Sequence, residues 1–180
     1  MPEALEDKTF GSKFGALWSA NVGLSQRRFE EQLGRPLEPH EFEPMNWVQA
    51  DFAKHFTAVD YGLALSAVAQ YRRAVQSWWH DGWDLLLTPT VAEVPIKLGT
   101  IVNDAEHPMS PMQRAGEFAA FTPPFNSSGQ PAISLPLEWT AEGLPVGVQL
   151  VAAYGREDVL VRIASQLEQA RPWAHRTPGI

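Results

Sequence analysis

The sequence contains no cysteine, and this absence excludes two kinds of chemistry. A chain without thiols can form no disulfide framework, and it can use neither a thiolate nucleophile nor a thiolate metal ligand. Positive charge is also scarce, because 14 Lys and Arg stand against 21 Asp and Glu and leave a net charge of −7. Nucleic-acid binding requires a basic face, so this balance argues against a nucleic-acid partner.

The chain also lacks any apolar run long enough to span a bilayer, which argues against a membrane partner. Its first residues, Met1–Asp7, are acidic and contain no apolar segment of the kind found in a signal peptide. From these absences we expect a cytoplasmic protein. The hydrophobic fraction of 44%, with 7 Trp and 9 Phe, is typical of a globular chain that builds large buried surfaces.

Apolar residues in the first half recur at steps of three and four, which predicts helices. Three segments show this pattern: Ser12–Gly34, Asn46–Ala53 and Ala58–His80. Ser12 is expected to cap the first of these helices, and Gly34 is expected to end it. Thr57 and Asp60 have the spacing of a capping box in front of the third helix.

The second half contains patterns typical of strands. The continuous apolar run Leu85–Leu87 predicts a strand that is buried on both faces. Apolar residues alternate on both sides of residues 140–143, which predicts an antiparallel hairpin. We therefore expect one sheet made of three segments: Leu85–Thr88, Ile133–Leu137 and Val146–Leu150. Pro136 and Pro145 each lack a backbone donor, so we expect a bulge or an edge position there.

The remaining segments flank this sheet. Residues 90–111 are predicted to form a long surface loop, followed by a short helix at Met112–Ala120 that the pair Pro123-Pro124 ends. Glu157–Ala170 has the pattern of a final helix. The predicted class is α/β, with a helical region at 1–83 and, at 84–180, a partial mixed sheet flanked by helices.

The serines of Ser127-Ser128-Gly129 are the first candidates for a catalytic nucleophile. Serine needs an adjacent base at neutral pH, and none of the four lysines has a sequence context that ties it to this segment. The G-x-S-x-G elbow is not matched, so we interpret the segment as a turn leading into a strand. The five histidines show no metal-binding spacing, and no phosphate loop is present; no cofactor or metal is expected.

Thr88, Pro89 and Thr90 are better candidates for a ligand site. They follow the predicted strand Leu85–Leu87, and in open α/β sheets ligands bind beyond the carboxyl ends of strands. A simple turn at the end of the strand is the alternative. Asn126 and Gln130 are further candidates, because a side-chain amide at the mouth of a strand can hold a substrate amide, although in a turn it usually bonds its own backbone.

Several longer motifs resemble the C-terminal segment of the amidase signature hydrolases. These are Trp83–Thr90, Phe121–Asn126, Gly129–Pro136 and Glu142–Val151. Leu167–Trp173, Glu43–Trp47 and the pair Asp60-Tyr61 are similar to the branch of that family that contains 6-aminohexanoate cyclic-dimer hydrolase. The resemblance spans most of the chain and is most specific in its final third.

The resemblance implies an α/β/α sandwich, of which this chain would be the C-terminal part, with 1–83 and 84–180 together in one larger amidase domain. It also implies hydrolysis of a linear or cyclic small-molecule amide through an acyl-enzyme. The family uses a Ser–cis-Ser–Lys triad, with the two serines in a Gly/Ser-rich signature and the lysine well before it, and this sequence has no such signature. No residue here is therefore assigned a catalytic role; Thr88, Pro89, Thr90, Asn126 and Gln130 are assigned to the wall of the substrate pocket.

Two alternatives stay open at this point. The chain could be a non-catalytic subunit or interaction module that pairs with a separate N-terminal chain, or an unrelated small-molecule-binding domain. If it is part of a larger enzyme, its partner is the upstream portion of that enzyme or a second copy of itself. Apolar surface should then be bare, and Trp18, Trp47 and Tyr71 are the residues expected to contribute to it.

Overall fold

The computed structural model describes residues 1–7 and 9–177 and confirms the α/β class. Six α-helices and three strands occur in these residues: α1 Phe10–Leu33, α2 Pro44–Ala53, α3 Ala58–His80, β1 Leu85–Pro89, α4 Ser110–Phe118, α5 Pro123–Ser128, β2 Ala132–Trp139, β3 Pro145–Ala152 and α6 Glu157–Ala170. Two short 3-10 turns, Glu3–Glu6 and Pro39–Glu41, precede α1 and α2.

The long helices follow the sequence pattern closely. Both α3 and α6 have the predicted bounds. The capping box of α3 is present, since Asp60 Oδ2 accepts a bond from the Thr57 backbone N–H at 2.9 Å and Thr57 Oγ1 accepts one from the Asp60 N–H at 3.1 Å. Gly34 ends α1 in the left-handed conformation, as expected.

Two predicted helix starts in the first half of the chain were wrong. Helix α1 begins at Phe10, so Ser12 lies inside it, and its hydroxyl donates to the Thr9 carbonyl at 2.8 Å instead of capping the helix. Helix α2 begins at Pro44, because proline is well tolerated in a first helical turn, where its missing N–H would have no partner.

A third difference concerns the expected turn before β2. Residues Pro123–Ser128 form the short helix α5, and the left-handed Gly129 ends it. Pro123 and Pro124 do not prevent this helix, because they occupy its first positions, where proline is tolerated. The preceding helix, α4, runs from Ser110 to Phe118 rather than from Met112 to Ala120, so it begins inside the predicted loop and ends before the two prolines.

The sheet contains the three predicted segments. Its order is β1-β3-β2, and both pairs are antiparallel, with Leu87 opposite Leu150 and Leu150 opposite Ile133. The register shifts between Pro136 and Glu138, so the bulge expected from the prolines is confirmed at one of the two sites.

The burial predicted for β1 was wrong. This strand lies at an edge of the described sheet, and Leu87 is 67% exposed. A short apolar run predicts that a strand is buried, but it does not identify the elements that bury it. Among residues 1–7 and 9–177, only β3 pairs with β1.

One face of the sheet packs against α6. Leu135, Leu150 and Ala152 of the strands are buried together with Leu160 of α6. Partly buried residues surround this cluster: Leu85, Ile133, Leu137, Ile163, Ala164, Leu167 and Trp173. We call this surface the α6 face; the residues between them along each strand form the opposite face, which contains the candidate site.

The described residues form two compact units. One contains the sheet and comprises residues 1–5, 72–97 and 118 onward; the other comprises 6–71 and 98–117 and includes the packed helices α1 and α2. The division of the chain at residue 83 into two regions of one larger domain stays a prediction. None of the helices in the described part of the chain combines the length and apolar character needed to cross a membrane.

The expected bare aromatic surface is only partly present. Trp18 is 45% exposed, and Trp47 is half-buried. The prediction for Tyr71 was wrong, because its ring is buried and stacks on Phe10 with the ring centroids 3.7 Å apart. Burial raises the pKa of the Tyr71 phenol to about 12. Other apolar residues, including Val59 at 70% and Leu63 at 65%, are exposed instead.

Candidate functional site

A row of polar side chains crosses the sheet on the face opposite α6. Thr88, Gln149 and Ser134 lie directly opposite one another on β1, β3 and β2. Residues opposite one another in antiparallel strands project from the same face of the sheet. Gln149 is only 4% exposed, and its Nε2 donates to Thr88 Oγ1 at 2.9 Å and to the Phe121 carbonyl at 3.2 Å. This amide therefore joins the sheet to the segment between α4 and α5.

Thr90 extends this row where β1 ends. Its hydroxyl and that of Ser134 are 2.6 Å apart, although they belong to segments on either side of β3. Strands two places apart in a sheet are separated by roughly 9.6 Å, so their side chains meet only if the strand between them leaves room. That room exists at Gly147, where an added Cβ would lie 2.8 Å from Thr90 Oγ1 and 2.9 Å from Ser134 Oγ. The Thr90 backbone N–H also donates to the Gly147 carbonyl at 3.1 Å.

We call Thr88, Thr90, Ser134 and Gln149 the hydroxyl row. All four side chains are neutral at ordinary pH, and each offers both hydrogen-bond donors and acceptors. Such a surface suits a neutral polar group such as an amide, which also needs one donor and one acceptor. It does not by itself supply a general base, so it can position a substrate but cannot activate a nucleophile.

The serines that invited a catalytic interpretation have structural surroundings. Ser127 lies in α5, and its hydroxyl donates to the Pro123 carbonyl at 3.0 Å. Ser128 is fully buried at the end of the same helix, and its hydroxyl has no hydrogen-bond partner among the residues that the structure describes.

The five predicted pocket residues do not lie together. Thr88 and Thr90 belong to the hydroxyl row, whereas Pro89 projects from the α6 side of the strand. Gln130 precedes Ala132, which is opposite Val151 and thus level with Leu86, near the start of β1. At about 3.3 Å per residue, that level is roughly 13 Å from Thr90. Gln130 is buried, and Asn126 is exposed on α5. A pocket role for each of the five stays a prediction.

Sequence reasoning missed three residues of this site: Ser134, Gly147 and Gln149. The hairpin itself contained the signal, because pairing the two predicted strands places Ser134 opposite Gln149 and Pro136 opposite Gly147. A glycine between Val146 and Val148 in a strand also indicates a close approach by a neighbouring group.

The amidase family matches residues 13–161. The 6-aminohexanoate-cyclic-dimer hydrolase of Paenarthrobacter ureafaciens is 38% identical over 184 residues, which cover 99% of this chain and 37% of that protein. A putative amidase, AmiC, of Mycobacterium tuberculosis (strain ATCC 25618 / H37Rv) is 46% identical over 164 residues, which cover 89% of this chain and 32% of that protein.

The solved structure of 6-aminohexanoate cyclic dimer hydrolase superimposes with a TM-score of 0.91 and 38% sequence identity, covering 99% of this chain and 38% of that one. A bacterial aryl acylamidase of the amidase signature family, at 17% identity and a TM-score of 0.68, shares the fold. The chain thus spans a little over a third of the length of the relatives that match it across 99% of its own residues.

Proposed function

The chain belongs to the amidase family, and from that membership we propose that it is the C-terminal portion of a serine-dependent amidase that hydrolyses a linear or cyclic amide. The observation that supports this most strongly is the match, over 99% of the chain, to a cyclic-dimer hydrolase at 38% identity and a TM-score of 0.91. The amide bond of a 6-aminohexanoate cyclic dimer, or of a related aliphatic amide, is the substrate we propose.

In this proposal the catalytic residues lie outside these 180 residues. A serine hydroxyl there attacks the amide carbonyl carbon, the C–N bond breaks, and the amine leaves with a proton. Water then hydrolyses the resulting ester and releases a carboxylate. We place the catalytic residues outside this chain because its sequence has no Gly/Ser-rich signature with a partnered lysine.

The contribution of this chain would be to complete the sheet and to form one wall of the substrate pocket. Thr88, Pro89 and Thr90 supply the strand end, and the hydroxyl row supplies neutral donors and acceptors there. Asn126 on α5 and Gln130 just before β2 would contribute side-chain amide groups to the same wall of the pocket. Because the row is uncharged, we propose that it faces the neutral amide part of the substrate.

Activity assays test this proposal directly. The purified 180-residue chain, incubated with the cyclic dimer of 6-aminohexanoate and with a simple aryl amide, should release no amine. Turnover that Ser128→Ala abolishes would show that the chain has a nucleophile of its own and would overturn the proposed absence of the triad. In a protein that includes the upstream portion, Thr90→Val should raise KM for the amide while Val161→Ala, an exposed change on α6, should leave it unchanged.

Intact mass separates this proposal from the alternative of a separate subunit. A native protein with a mass well above 20.0 kDa supports a portion of one larger enzyme. A 20.0 kDa chain that purifies with a stoichiometric second chain supports a subunit that pairs with an N-terminal partner. Sedimentation of the purified 180-residue chain provides a second test. If that chain is a monodisperse monomer at tens of micromolar and binds no hydrophobic dye, both the larger-enzyme and the subunit interpretations are contradicted.

A further inference from the structure

A cleft lies at the end of the sheet where the turn between β2 and β3 meets the segment after α6. Its volume of about 620 Å³ is within the range of roughly 300–1,000 Å³ that is usual for small-molecule sites. Two half-buried tryptophans, Trp139 at the end of β2 and Trp173 beyond α6, line it, and Leu144 and Pro145 add further apolar surface. All of its lining residues lie in the compact unit that contains the sheet, so one part of the fold forms the whole cleft. We call it the tryptophan cleft.

The side chain of Arg176 lines the same cleft, and its hydrogen-bond donors are unused. Its guanidinium carbon lies 4.0 Å from the centroid of the Trp139 ring. The Arg176 backbone N–H donates to the Trp173 carbonyl at 2.9 Å, and this turn keeps Arg176 beside the second tryptophan. Stacking on a ring engages the face of a guanidinium and not its N–H groups. Among the residues that the structure describes, no carboxylate or carbonyl accepts a hydrogen bond from this guanidinium, so its N–H groups are available to a ligand.

The polar groups that line the tryptophan cleft favour an anion. Arg176 and the imidazole of His175 supply N–H donors, whereas the described lining residues include no acidic side chain. Glu138, the acidic neighbour of Trp139, is paired with Arg171 at 2.7 Å and forms no ion pair with Arg176. The cleft thus combines aromatic walls with one positive charge that has no direct partner in the described part of the chain.

We propose that the tryptophan cleft binds an aromatic carboxylate. The guanidinium of Arg176 donates two parallel hydrogen bonds to the two carboxylate oxygens, while the ring of the ligand packs against the indoles of Trp139 and Trp173. Because stacking on Trp139 already holds Arg176 in place, this side chain loses less conformational freedom on binding than a free arginine would. Amide hydrolysis does not enter this argument, so the proposal stands or falls independently of the proposed function.

Titration of the 180-residue chain with sodium indole-3-acetate at constant ionic strength, followed by calorimetry, tests for the site. We expect saturable binding with a Kd on the order of 1 mM. Indole-3-ethanol has the same ring without the charge, and hexanoate has the charge without a ring. Each should bind about fivefold more weakly or worse, because each lacks one of the two interactions. Equal affinity for indole-3-ethanol or for hexanoate would overturn the proposal.

Three variants sharpen this test. Arg176→Met should weaken the binding of indole-3-acetate about tenfold, because it removes the bidentate pair. Arg73→Met, which removes an exposed arginine of α3, is the matched control and should bind normally. Trp139→Leu should weaken binding several-fold, because it removes one aromatic wall and the ring on which Arg176 stacks. An unchanged Kd in Arg176→Met, or no saturable binding by the unsubstituted chain, would overturn the proposal.

NMR of the unsubstituted chain locates the ligand without relying on the folding of any variant. On addition of indole-3-acetate, the indole N–H signals of Trp139 and Trp173 should shift, while that of the buried Trp79 should not. Shifts confined to other tryptophans, such as Trp18 or Trp47, would overturn the proposal. A protein that includes the upstream portion should bind with the same Kd, because one compact unit supplies the whole lining. Loss of binding in that protein would overturn the cleft as a site for a free ligand.

Discussion

The two faces of the sheet are built from the same three strands but are held together in different ways. On the α6 face, Leu135, Leu150 and Ala152 pack with Leu160 in an apolar cluster. On the opposite face, a hydrogen bond of 2.6 Å joins Thr90 to Ser134, and one of 2.9 Å joins Gln149 to Thr88. Burial of apolar area is non-directional, whereas hydrogen bonds fix atoms in place. One face of the sheet thus stabilises the fold, and the other holds polar side chains in fixed positions.

The largest effect should come from breaking the α6 face. Leu150→Ala removes a buried side chain from the centre of this cluster and should lower the free energy of unfolding by about 2–5 kcal/mol. Urea denaturation measures this change. Val161→Ala, at a position of α6 that is 66% exposed, is the control and should change stability by less than about 0.5 kcal/mol. Similar losses for the two variants would mean that α6 does not cover this face.

A smaller effect is expected where the hydroxyl row crosses β3. Gly147→Ala places a methyl group 2.8 Å from Thr90 Oγ1 and 2.9 Å from Ser134 Oγ, and should destabilise the chain by about 1–3 kcal/mol. Adding Ser134→Ala should restore part of this loss, because it removes one of the two contacts. Gly116→Ala, where nothing lies within 4 Å, should be neutral or slightly stabilising. A Gly147→Ala protein as stable as Gly116→Ala would contradict the close approach.

Next in size is the loss of the bridging amide. Gln149→Leu removes the bonds to Thr88 and to the Phe121 carbonyl, and should cost about 1–2 kcal/mol. Hydrogen exchange provides a more specific measurement than overall stability: amides of residues 119–128 should exchange faster while those of α6 keep their protection. Equal acceleration in both regions would indicate general destabilisation instead of a lost bridge.

The smallest effect concerns charge at the rim of the sheet. The Trp139 backbone N–H and the Arg171 guanidinium both donate to Glu138, and they lower the pKa of its carboxyl below 4.5. A depressed pKa in the folded state means that the stabilisation is present above the ordinary pKa and is lost as pH falls through the folded value. The urea midpoint of the unsubstituted chain should therefore fall slightly more below pH 4.5 than that of Glu138→Gln. Because both side chains are more than half exposed, the difference will be small.

Local signals in the sequence were sufficient to predict the helices and strands with clear periodicity. The capping box at Thr57 and Asp60 fixed the start of α3, and alternation fixed the hairpin. The environment of β1 could not be predicted in the same way, because the apolar run Leu85–Leu87 looks alike in a central strand and in an edge strand. Tyr71 continues an apolar stripe that is buried at Val75 and exposed at Leu65, and the stripe alone does not say where burial begins.

Only those residues of the candidate site whose position follows from a single strand were predicted from the sequence. Thr88 and Thr90 follow from their position at the end of β1, but Ser134 and Gln149 become neighbours of them only through cross-strand register. Register depends on the bulge between Pro136 and Glu138 and on the turn, so it is a property of the folded pair and not of either segment. Gln130 was selected for its side-chain type, and its distance from Thr90 depends on the same register.

The bulge in β2 also determines the direction in which the sheet can grow. In that outer strand, Pro136 has no N–H and the pairing with β3 shifts register before Glu138, so we expect a further strand to pair poorly with β2. Strand β1 pairs regularly with β3 from Leu85 to Thr88, and the apolar side chain of Leu87, on the α6 face, is exposed. Of the two edge strands of the described sheet, we therefore expect β1 and not β2 to pair with any strand that the rest of an amidase adds.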